Sequence, residues 1–391
     1  MLKQLHLVNF RAFENFRVSF GDGAYLVGPN NAGKSTLLTA LRTADVLLRY
    51  AYRRKPDLRA RDGDISVLGY PVSLREFPAL QDSLRFEFGS DETRLELGWK
   101  SGAKLTVVWP DDRDSEDERS PFFYLTHSSG NPVRNPKQAK ESFPPLGIIP
   151  ILGPTEHEER LLAEDYVRQN IAGRLSSRHF RNQLRLLEND RLLDAFLKWA
   201  RPWLGDLTFD TLGQHMSEEG LIVEAFFFEA GSRVPKEVVW AGDGVQVWLQ
   251  LLYHVHRVQD RDTIILDEPE VYLHPDLQRR LVHLLESTGR QVIVATHSTE
   301  MVAESDGRLT TLDRDPLLGK HRKQKSLHRM AVVTVSHSGR RVRRRTRHGD
   351  TSSVCAHAAV AILGAGGRGD GHSAPRVQQL GTGRAVQVAV R

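Results

Sequence analysis

The sequence is poor in cysteine, and the single residue present, Cys355, excludes an internal disulfide framework. No group of Cys and His residues has the spacing of a zinc site. Residues 1–8 lack the basic region and apolar block of a signal peptide, and no run approaches the roughly 18 apolar residues of a membrane span. Hydrophobic residues make up 40% and charged residues 26% of the chain, as in globular proteins. We therefore expect a soluble, cytoplasmic protein that does not engage a membrane.

The end of the chain lacks aromatic residues and glutamate. No Phe, Trp or Tyr follows Tyr272, and no Glu follows Glu304. Residues 313–391 carry 16 Lys and Arg against 4 Asp, whereas residues 1–312 carry 38 Lys and Arg against 45 acidic residues. The basic balance thus comes wholly from the tail, which includes a basic run at 340–347. One interpretation is a nucleic-acid-binding arm; we favour a disordered tail or an out-of-frame translation of GC-rich DNA.

Hydrophobic periodicity before residue 313 predicts alternating strands and helices. Strands are predicted at 5–10, 16–20, 24–27, 84–88, 95–99, 104–109, 148–152, 207–211, 220–228, 263–266, 291–295 and 309–312. Helices are predicted at 34–50, 244–258 and 275–286, with a further helical stretch from 156 to 203. The three strands within 84–109 are joined by short polar connections, which favours an antiparallel meander.

Residues 28–36, Gly-Pro-Asn-Asn-Ala-Gly-Lys-Ser-Thr, satisfy the P-loop pattern between a predicted strand and a predicted helix. Its glycines let backbone N–H groups turn toward phosphates, and the helix adds the positive field of its N-terminus. Lys34 can neutralise the β- and γ-phosphates, and the Ser35 hydroxyl can ligate Mg²⁺. The sequence therefore predicts a site for ATP and Mg²⁺. The residues expected to contact the nucleotide here are Gly28, Asn30, Asn31, Gly33, Lys34, Ser35 and Thr36.

Two carboxylates follow the apolar run 263–266. Asp267 stands at the predicted tip of this strand, where it can hold Mg²⁺, and Glu268 is then free to orient or deprotonate the attacking water. An apolar run followed by Asp-Glu is a weak signal alone and becomes strong beside a P-loop. A further buried strand, 291–295, leads to His297 near the same edge of the sheet.

Four motifs in this order resemble the ATP-binding-cassette (ABC) type of ATPase found in RecF, in SMC-like proteins and in OLD-family nucleases. They are Asn-Phe-Arg-x-Phe at 9–13, the P-loop at 28–36, Asp-Glu-Pro-Glu-x-x-Leu-His-Pro at 267–275, and Ala-Thr-His-Ser at 295–298. The resemblance covers residues 1 to about 312, and the block at 267–275 is most similar to the OLD-like branch. It implies an α/β P-loop fold of ABC-ATPase type, with a mixed central sheet, an antiparallel β subdomain at 84–109 and a helical insertion at 156–203.

The resemblance also implies a composite site. His297 would be the switch histidine that contacts the γ-phosphate, and two subunits would sandwich each ATP between one P-loop and the partner's signature helix. The corresponding segment is Ala241–Gln246, in which Gly242 and Gly244 would meet the partner's nucleotide. The sequence departs from the family pattern in two places: the usual Ser-Gly reads Ala241-Gly242, and no Gln follows the strand 148–152, where Thr155 or Glu156 is the alternative.

The OLD resemblance raises the question of a TOPRIM nuclease, which needs a Glu and an Asp-x-Asp. Asp313-Arg314-Asp315 matches by spacing only and is followed by no Glu. We expect no nuclease activity in this chain, and a separate nuclease or effector protein as partner. The 232 residues between Lys34 and Asp267 also leave no room for the long coiled coil of SMC-like proteins.

The leading hypothesis is an ATP-hydrolysing, DNA-associated switch that dimerises on ATP and acts in DNA repair, recombination or anti-phage defence. The alternative is a truncated, catalytically defective or regulatory ATP-binding module of an OLD-like nuclease. A transporter ATPase subunit is disfavoured by the insertion at 84–145 and by the missing glutamine.

Overall fold

The computed structural model describes residues 1–28, 32–72, 84–111, 120–173, 175–218, 220–305, 309–311 and 333–335. These residues fall within one compact unit, Met1–His337, and the second unit, Ser338–Arg391, lies outside them. Of the tail 313–391, only residues 333–335 are described, and they form a short strand. The basic run 340–347 and Asp313–Asp315 lie outside the described residues. Within the described part of the chain, no helix is both long and apolar enough to cross a membrane.

The elements alternate between strands and helices along the chain. The strands are β1 (Leu2–Phe10), β2 (Phe13–Ser19), β3 (Gly23–Val27), β4 (Leu58–Asp62), β5 (Ile65–Pro71), β6 (Thr93–Trp99), β7 (Lys104–Trp109), β8 (Phe122–Thr126), β9 (Gly147–Ile148), β10 (Glu159–Arg160), β11 (Leu207–Ser217), β12 (Gly220–Glu229), β13 (Lys236–Glu237), β14 (Thr263–Asp267), β15 (Gln291–Thr296), β16 (Leu309–Thr311) and β17 (Val333–Val335). The α-helices are α1 (Lys34–Ala51), α2 (Pro136–Ser142), α3 (Glu164–Asn170), α4 (Phe180–Asn189), α5 (Leu193–Leu204), α6 (Asp243–Val258), α7 (Pro275–Ser287) and α8 (Thr299–Glu304).

The central sheet has six strands in the order β17-β16-β3-β15-β14-β9. Its pairs are parallel except β16–β17, so the sheet is mixed, as the resemblance implied. Side chains of β14 and β15 alternate between two cores: Ile265 and Ile293 pack with α1 in one, whereas Ile264 and Val292 pack with α6 and α7 in the other. Both faces are covered, which explains why these strands read as continuous apolar runs.

A second, seven-stranded sheet has the order β2-β1-β6-β7-β8-β5-β4 and is antiparallel throughout. It packs on α1 from the side opposite the central sheet and supplies the other half of the first core. The meander predicted at 84–109 consists of β6 and β7, and its third strand is β8 rather than residues 84–88. Phe86–Phe88 form a short 3₁₀ turn instead, and the positive φ angles of Glu87 and Phe88 interrupt the extended conformation that a strand requires; Phe88 is exposed.

The strand predicted at 148–152 ends early. Only Gly147–Ile148 pair with β14, and the N–H of Ile149 still donates to the Ile265 carbonyl at 2.9 Å. The chain leaves the sheet after this bond. The segment 149–155 is therefore free to run alongside α6, which matters for the site below.

A four-stranded sheet of β10, β11, β12 and β13 lies with α4 and α5, and their apolar side chains join the second core. This region holds what we call the buried ion network: Glu159, Arg181, Asn182 and Glu237. Arg181 donates from Nε and Nη2 to the two carboxylate oxygens of Glu237, at 2.7 and 2.9 Å. Glu159 accepts the backbone N–H groups of Arg181 and Asn182. The network fastens the helical insertion to the strand that leads into the segment 241–246.

Candidate functional site

The P-loop occupies the connection between β3 and α1, as predicted. Gly28 and Gly33 are described at its two ends, whereas Asn30 and Asn31 lie outside the described residues. Gly33 precedes α1 with a φ of +95°, a conformation that favours glycine. A Cβ at Gly33 would lie 2.4 Å from Cζ of Phe13, so the β1–β2 hairpin packs directly beneath the loop. This contact gives the Phe of the Asn-Phe-Arg-x-Phe motif a physical role: it supports the phosphate-binding turn.

Lys34 is the first residue of α1, and its side chain is only 5% exposed. Nζ donates to the Gly28 carbonyl at 2.6 Å, so the ammonium lies across the mouth of the P-loop. Burial lowers the pKa of Lys34, and the negative charges of Glu268, Glu270 and Asp267 act in the opposite direction. The lysine thus interacts electrostatically with the carboxylates of the Asp-Glu-Pro-Glu block. Ser35, next on the helix, is exposed, and Thr36 is nearly buried.

Asp267 ends β14 and is 7% exposed. Burial raises the pKa of its carboxyl group, and the Arg42 guanidinium opposes that rise. Arg42 Nη2 donates to Asp267 Oδ2 at 3.0 Å. Sequence reasoning missed Arg42, which stands two helical turns after Lys34 on the same helix. The spacing of eight residues was its only signal, because helical positions that far apart lie close to one face.

Glu268 turns the chain sharply after β14. Its φ is +45°, its N–H donates to the Ala295 carbonyl at 2.8 Å, and its side chain remains about a third exposed. His297 Nε2 lies 3.4 Å from Glu268 Oε1. The structure therefore brings together the two residues that the sequence predicted for water activation and for the γ-phosphate. A non-glycine residue held at positive φ is frequent at functional sites, where the surrounding structure maintains the strain.

Glu270 is the second residue that sequence reasoning missed as a site residue. Its Oε1 accepts the backbone N–H of His297 at 2.6 Å, and its Oε2 is buried without a hydrogen-bond partner among the described residues. The sequence feature that could have identified it is its place as the second glutamate of the Asp-Glu-Pro-Glu block. We call the set of Lys34, Asp267, Glu268, Glu270 and His297 the half-site.

The half-site has the charge and the donor types that Mg²⁺ and a triphosphate require. The charges of three carboxylates act on one buried ammonium, and Ser35 lies on the first turn of α1. Among the described residues, no group of three or more His, Cys, Asp and Glu side chains has the arrangement of a self-contained metal site. In nucleotide sites, Mg²⁺ is usually bound by one or two protein oxygens together with the phosphates. Asp267 and Ser35 are the residues that would hold it.

The segment predicted as the signature begins α6. Gly242 caps the helix without a side-chain hydrogen bond, and a Cβ there would meet nothing within 4 Å. Gly244 differs, because a Cβ there would lie 2.9 Å from the Tyr272 carbonyl oxygen. The two positions thus favour glycine for different reasons. Gly242 leaves the helix N-terminus open, and Gly244 lets the helix pack on the turn after the half-site. Tyr272 itself has a φ of +68°.

Glutamines on α6 reach the segment where a glutamine loop was expected. Gln246 Oε1 accepts both the N–H and the hydroxyl of Thr155, at 2.9 and 2.8 Å, while its Nε2 donates to the Ala241 carbonyl. Gln250 donates to the Gly153 carbonyl at 2.8 Å. Thr155 is therefore engaged by the signature helix, and Glu156 pairs with Arg178 at the surface. These buried bonds join the segment after β9 to the signature turn.

Comparison with known proteins agrees with this geometry. A family model described as "AAA domain, putative AbiEii toxin, Type IV TA system" matches residues 24–303, which include the P-loop, the half-site and the signature turn. A curated relative, the OLD nuclease of Thermus scotoductus, is 24% identical over 340 residues, covering 76% of this chain and 59% of the relative. The chain thus spans about three fifths of the length of that relative.

Among solved structures, the SMC head bound to the C-winged helix domain of ScpA is 15% identical to this chain, with a TM-score of 0.50. The match covers 86% of this chain and 98% of the SMC head. At this identity the likeness concerns the fold alone, and it confirms the ABC-type head predicted from the motifs. The chain belongs to the family described as "AAA domain, putative AbiEii toxin, Type IV TA system"; it has the fold of an ABC-type ATPase head and is similar to an OLD nuclease.

Proposed function

We propose that the protein hydrolyses ATP in a site completed by a second copy of the chain, and that this cycle switches its association with DNA. The observation that carries the hydrolysis is the Glu268–His297 pair, at 3.4 Å, beside Asp267 and Lys34. Side chains of these types at this spacing suit the attack of water on a γ-phosphate.

Each residue of the half-site has a defined task in this proposal. Lys34 exchanges the Gly28 carbonyl for the β- and γ-phosphates, which neutralises charge that builds up during transfer. Asp267 and Ser35 would hold Mg²⁺, which would neutralise part of the negative charge of the phosphates. Glu268 orients the water or accepts its proton, and His297 donates to the γ-phosphate.

The second copy supplies the signature helix. The open N-terminus of α6 at Gly242 suits a partner's γ-phosphate, because helix N-termini attract anions. Exposed aromatic side chains flank it: Trp240, 67% exposed, precedes the signature turn, and Tyr272 is half-exposed beside Gly244. Large exposed apolar groups mark interaction surfaces, which supports a homodimer through this face.

Association with DNA rests on the resemblance to the RecF, SMC and OLD proteins. Residues 1–312 have more acidic than basic residues, so DNA contact through the head requires local rather than overall positive charge. DNA affinity measured with and without ATP, at two salt concentrations, tests this part. Affinity that does not change with nucleotide would contradict a switch.

A second candidate function is favoured by the OLD nuclease relative, which is longer than this chain. In that case the ATPase head regulates a nuclease, held elsewhere or in a partner protein, and the residues described here cleave no DNA. A supercoiled-plasmid nicking assay with Mg²⁺ and Mn²⁺ tests the absence of nuclease activity in the chain as given.

ATP turnover of the wild type, Lys34→Ala and Glu268→Gln tests the central proposal. Turnover should be lost in both variants because one loses phosphate binding and the other loses the base. Glu268→Gln should keep ATP bound and accumulate as a dimer in size-exclusion chromatography with light scattering. Absence of turnover in the wild type, with ATP still bound, would instead favour a regulatory binding module.

A further inference from the structure

The end of β15 leaves a backbone donor that the central sheet does not use. Residue pairing between β14 and β15 stops at Asp267 and Ala295, and β3 pairs up to Thr296. The N–H of His297, one residue further, donates instead to Glu270 Oε1 at 2.6 Å. A hydrogen bond to a carboxylate is stronger than one between neutral groups, so this contact determines where the chain leaves the sheet.

The turn after β14 brings Glu270 to this position. The positive φ of Glu268 reverses the chain, and the Glu268 N–H to Ala295 carbonyl bond holds the start of the turn against β15. Two hydrogen bonds therefore join the same two segments, one from backbone to backbone and one from backbone to the Glu270 side chain. The result is that the His297 ring lies beside Glu268.

The second carboxylate oxygen indicates that Glu270 serves more than the local turn. Oε2 is buried without a hydrogen-bond partner among the described residues, which is costly for a carboxylate. The charge of Glu270 also acts on both Lys34 and Asp267. A buried oxygen without a hydrogen-bond partner is unusual for a structural residue, which groups Glu270 with the half-site rather than with the local turn alone.

We propose that Glu270 is a positioning residue for ATP hydrolysis: by holding the backbone N–H of His297, it keeps the switch histidine beside Glu268. The proposal rests on the function proposed above, since it assigns a role within the same reaction. Glu270 need not touch the nucleotide, and its effect on turnover passes through His297.

Three substitutions separate the acceptor of Glu270 from its charge. Glu270→Ala removes both, Glu270→Gln keeps an acceptor oxygen of the same reach, and Glu270→Asp keeps the charge on a shorter side chain. We expect Glu270→Ala and Glu270→Asp to lower kcat by about 10- to 100-fold, the usual effect of losing a residue that orients a site residue. The KM for ATP should stay within about threefold, because the proposal concerns the transition state rather than ATP binding. Glu270→Gln should restore most of the rate. Glu300→Ala is the matched control, because Glu300 is a partly exposed carboxylate on α8 that pairs with Arg279.

A double-mutant cycle with His297→Ala distinguishes positioning from a general structural effect. If Glu270 acts through the His297 ring, Glu270→Ala should cost nothing further once that ring is gone. Additive losses would overturn the proposal, as would a Glu270→Gln variant as slow as Glu270→Ala.

The hydrogen bond itself can be observed without turnover. In protein labelled with ¹⁵N-histidine, the His297 amide resonance is assigned by its loss in His297→Ala. We expect its proton to move upfield in Glu270→Ala and Glu270→Asp and to stay near the wild-type position in Glu270→Gln. An unchanged resonance in Glu270→Ala would refute the contact. If the wild type shows no ATP turnover, the proposed function fails, and this resonance still decides whether Glu270 holds His297.

Discussion

The molecule contains two clusters of charged side chains that differ in how their groups are satisfied. In the buried ion network, Arg181 is almost fully buried, is paired at both ends of its guanidinium and faces carboxylates that accept backbone N–H groups. In the half-site, Glu268 is partly exposed at a strained φ, and one oxygen of Glu270 has no hydrogen-bond partner among the described residues. The first arrangement is typical of structural polar groups and the second of sites where chemistry takes place. Whether each charged group has its hydrogen-bond and ion-pair partners, rather than how buried or charged it is, distinguishes the structural cluster from the proposed catalytic one.

The largest effect is expected from Glu268→Gln, which should impair turnover at the half-site without destabilising the fold. Glu268→Gln should lower kcat by about 10²- to 10⁴-fold because it removes the group that orients or deprotonates water. The free energy of unfolding should hardly change, since the side chain is partly exposed and the backbone turn remains. Single-turnover ATP hydrolysis and urea denaturation measure the two quantities. If Glu268→Gln lowers the free energy of unfolding as much as a core substitution does, Glu268 has a structural role like that of the buried ion network.

The opposite result, a loss of stability with little loss of turnover, is expected when the buried ion network is disrupted. Arg181→Ala leaves Glu237 and Glu159 buried without their counter-ion, which should cost about 3–5 kcal/mol of the free energy of unfolding. Turnover per folded molecule should fall far less than in Glu268→Gln. Denaturation followed by Trp fluorescence, with turnover measured well below the unfolding transition, checks both statements. Arg178→Ala is a suitable control, because Arg178 pairs with Glu156 at the surface.

The pH dependence of stability sharpens the comparison further. Burial raises the pKa of Glu159 to about 7, above its ordinary value of 4.5. Between these two pKa values the folded protein binds more protons than the unfolded chain. The contribution of Glu159 to the free energy of unfolding is therefore full below pH 4.5 and is lost as the pH rises through 7. We expect wild type to lose about 2–3 kcal/mol more stability than Glu159→Gln across that window. Denaturation midpoints at several pH values test it, and parallel profiles for the two proteins would contradict it.

The smallest expected effect on stability distinguishes the two signature glycines. Gly242→Ala should cost about 0.5–1 kcal/mol, because alanine is a poorer helix N-cap but meets no atom there. Gly244→Ala should cost about 1–3 kcal/mol, because its methyl group would press on the Tyr272 carbonyl. Both should weaken dimerisation on ATP in the Glu268→Gln background. Dimers that persist in Gly242→Ala would argue against a phosphate site at the start of α6.

Much of the fold could be predicted from periodicity because local patterns set it. Helix α1 begins at the predicted Lys34, and β14 and β15 read as apolar runs because both faces of the central sheet are covered. Two strands were predicted incorrectly from the same kind of pattern. Residues 84–88 alternate like a strand, yet the positive φ angles of Glu87 and Phe88 turn the chain there. The strand predicted at 148–152 pairs with β14 only through Gly147–Ile148.

The sequence by itself determined the ABC-type fold, and it predicted Lys34, Asp267, Glu268 and His297 as site residues, because each belongs to a contiguous motif with strict backbone requirements. Only the tertiary structure decided what holds those residues in place. Arg42 meets Asp267 across 225 residues, and Glu270 reaches the N–H of His297 across 27. Such contacts depend on which strand ends lie side by side, a property of sheet order that no local pattern contains.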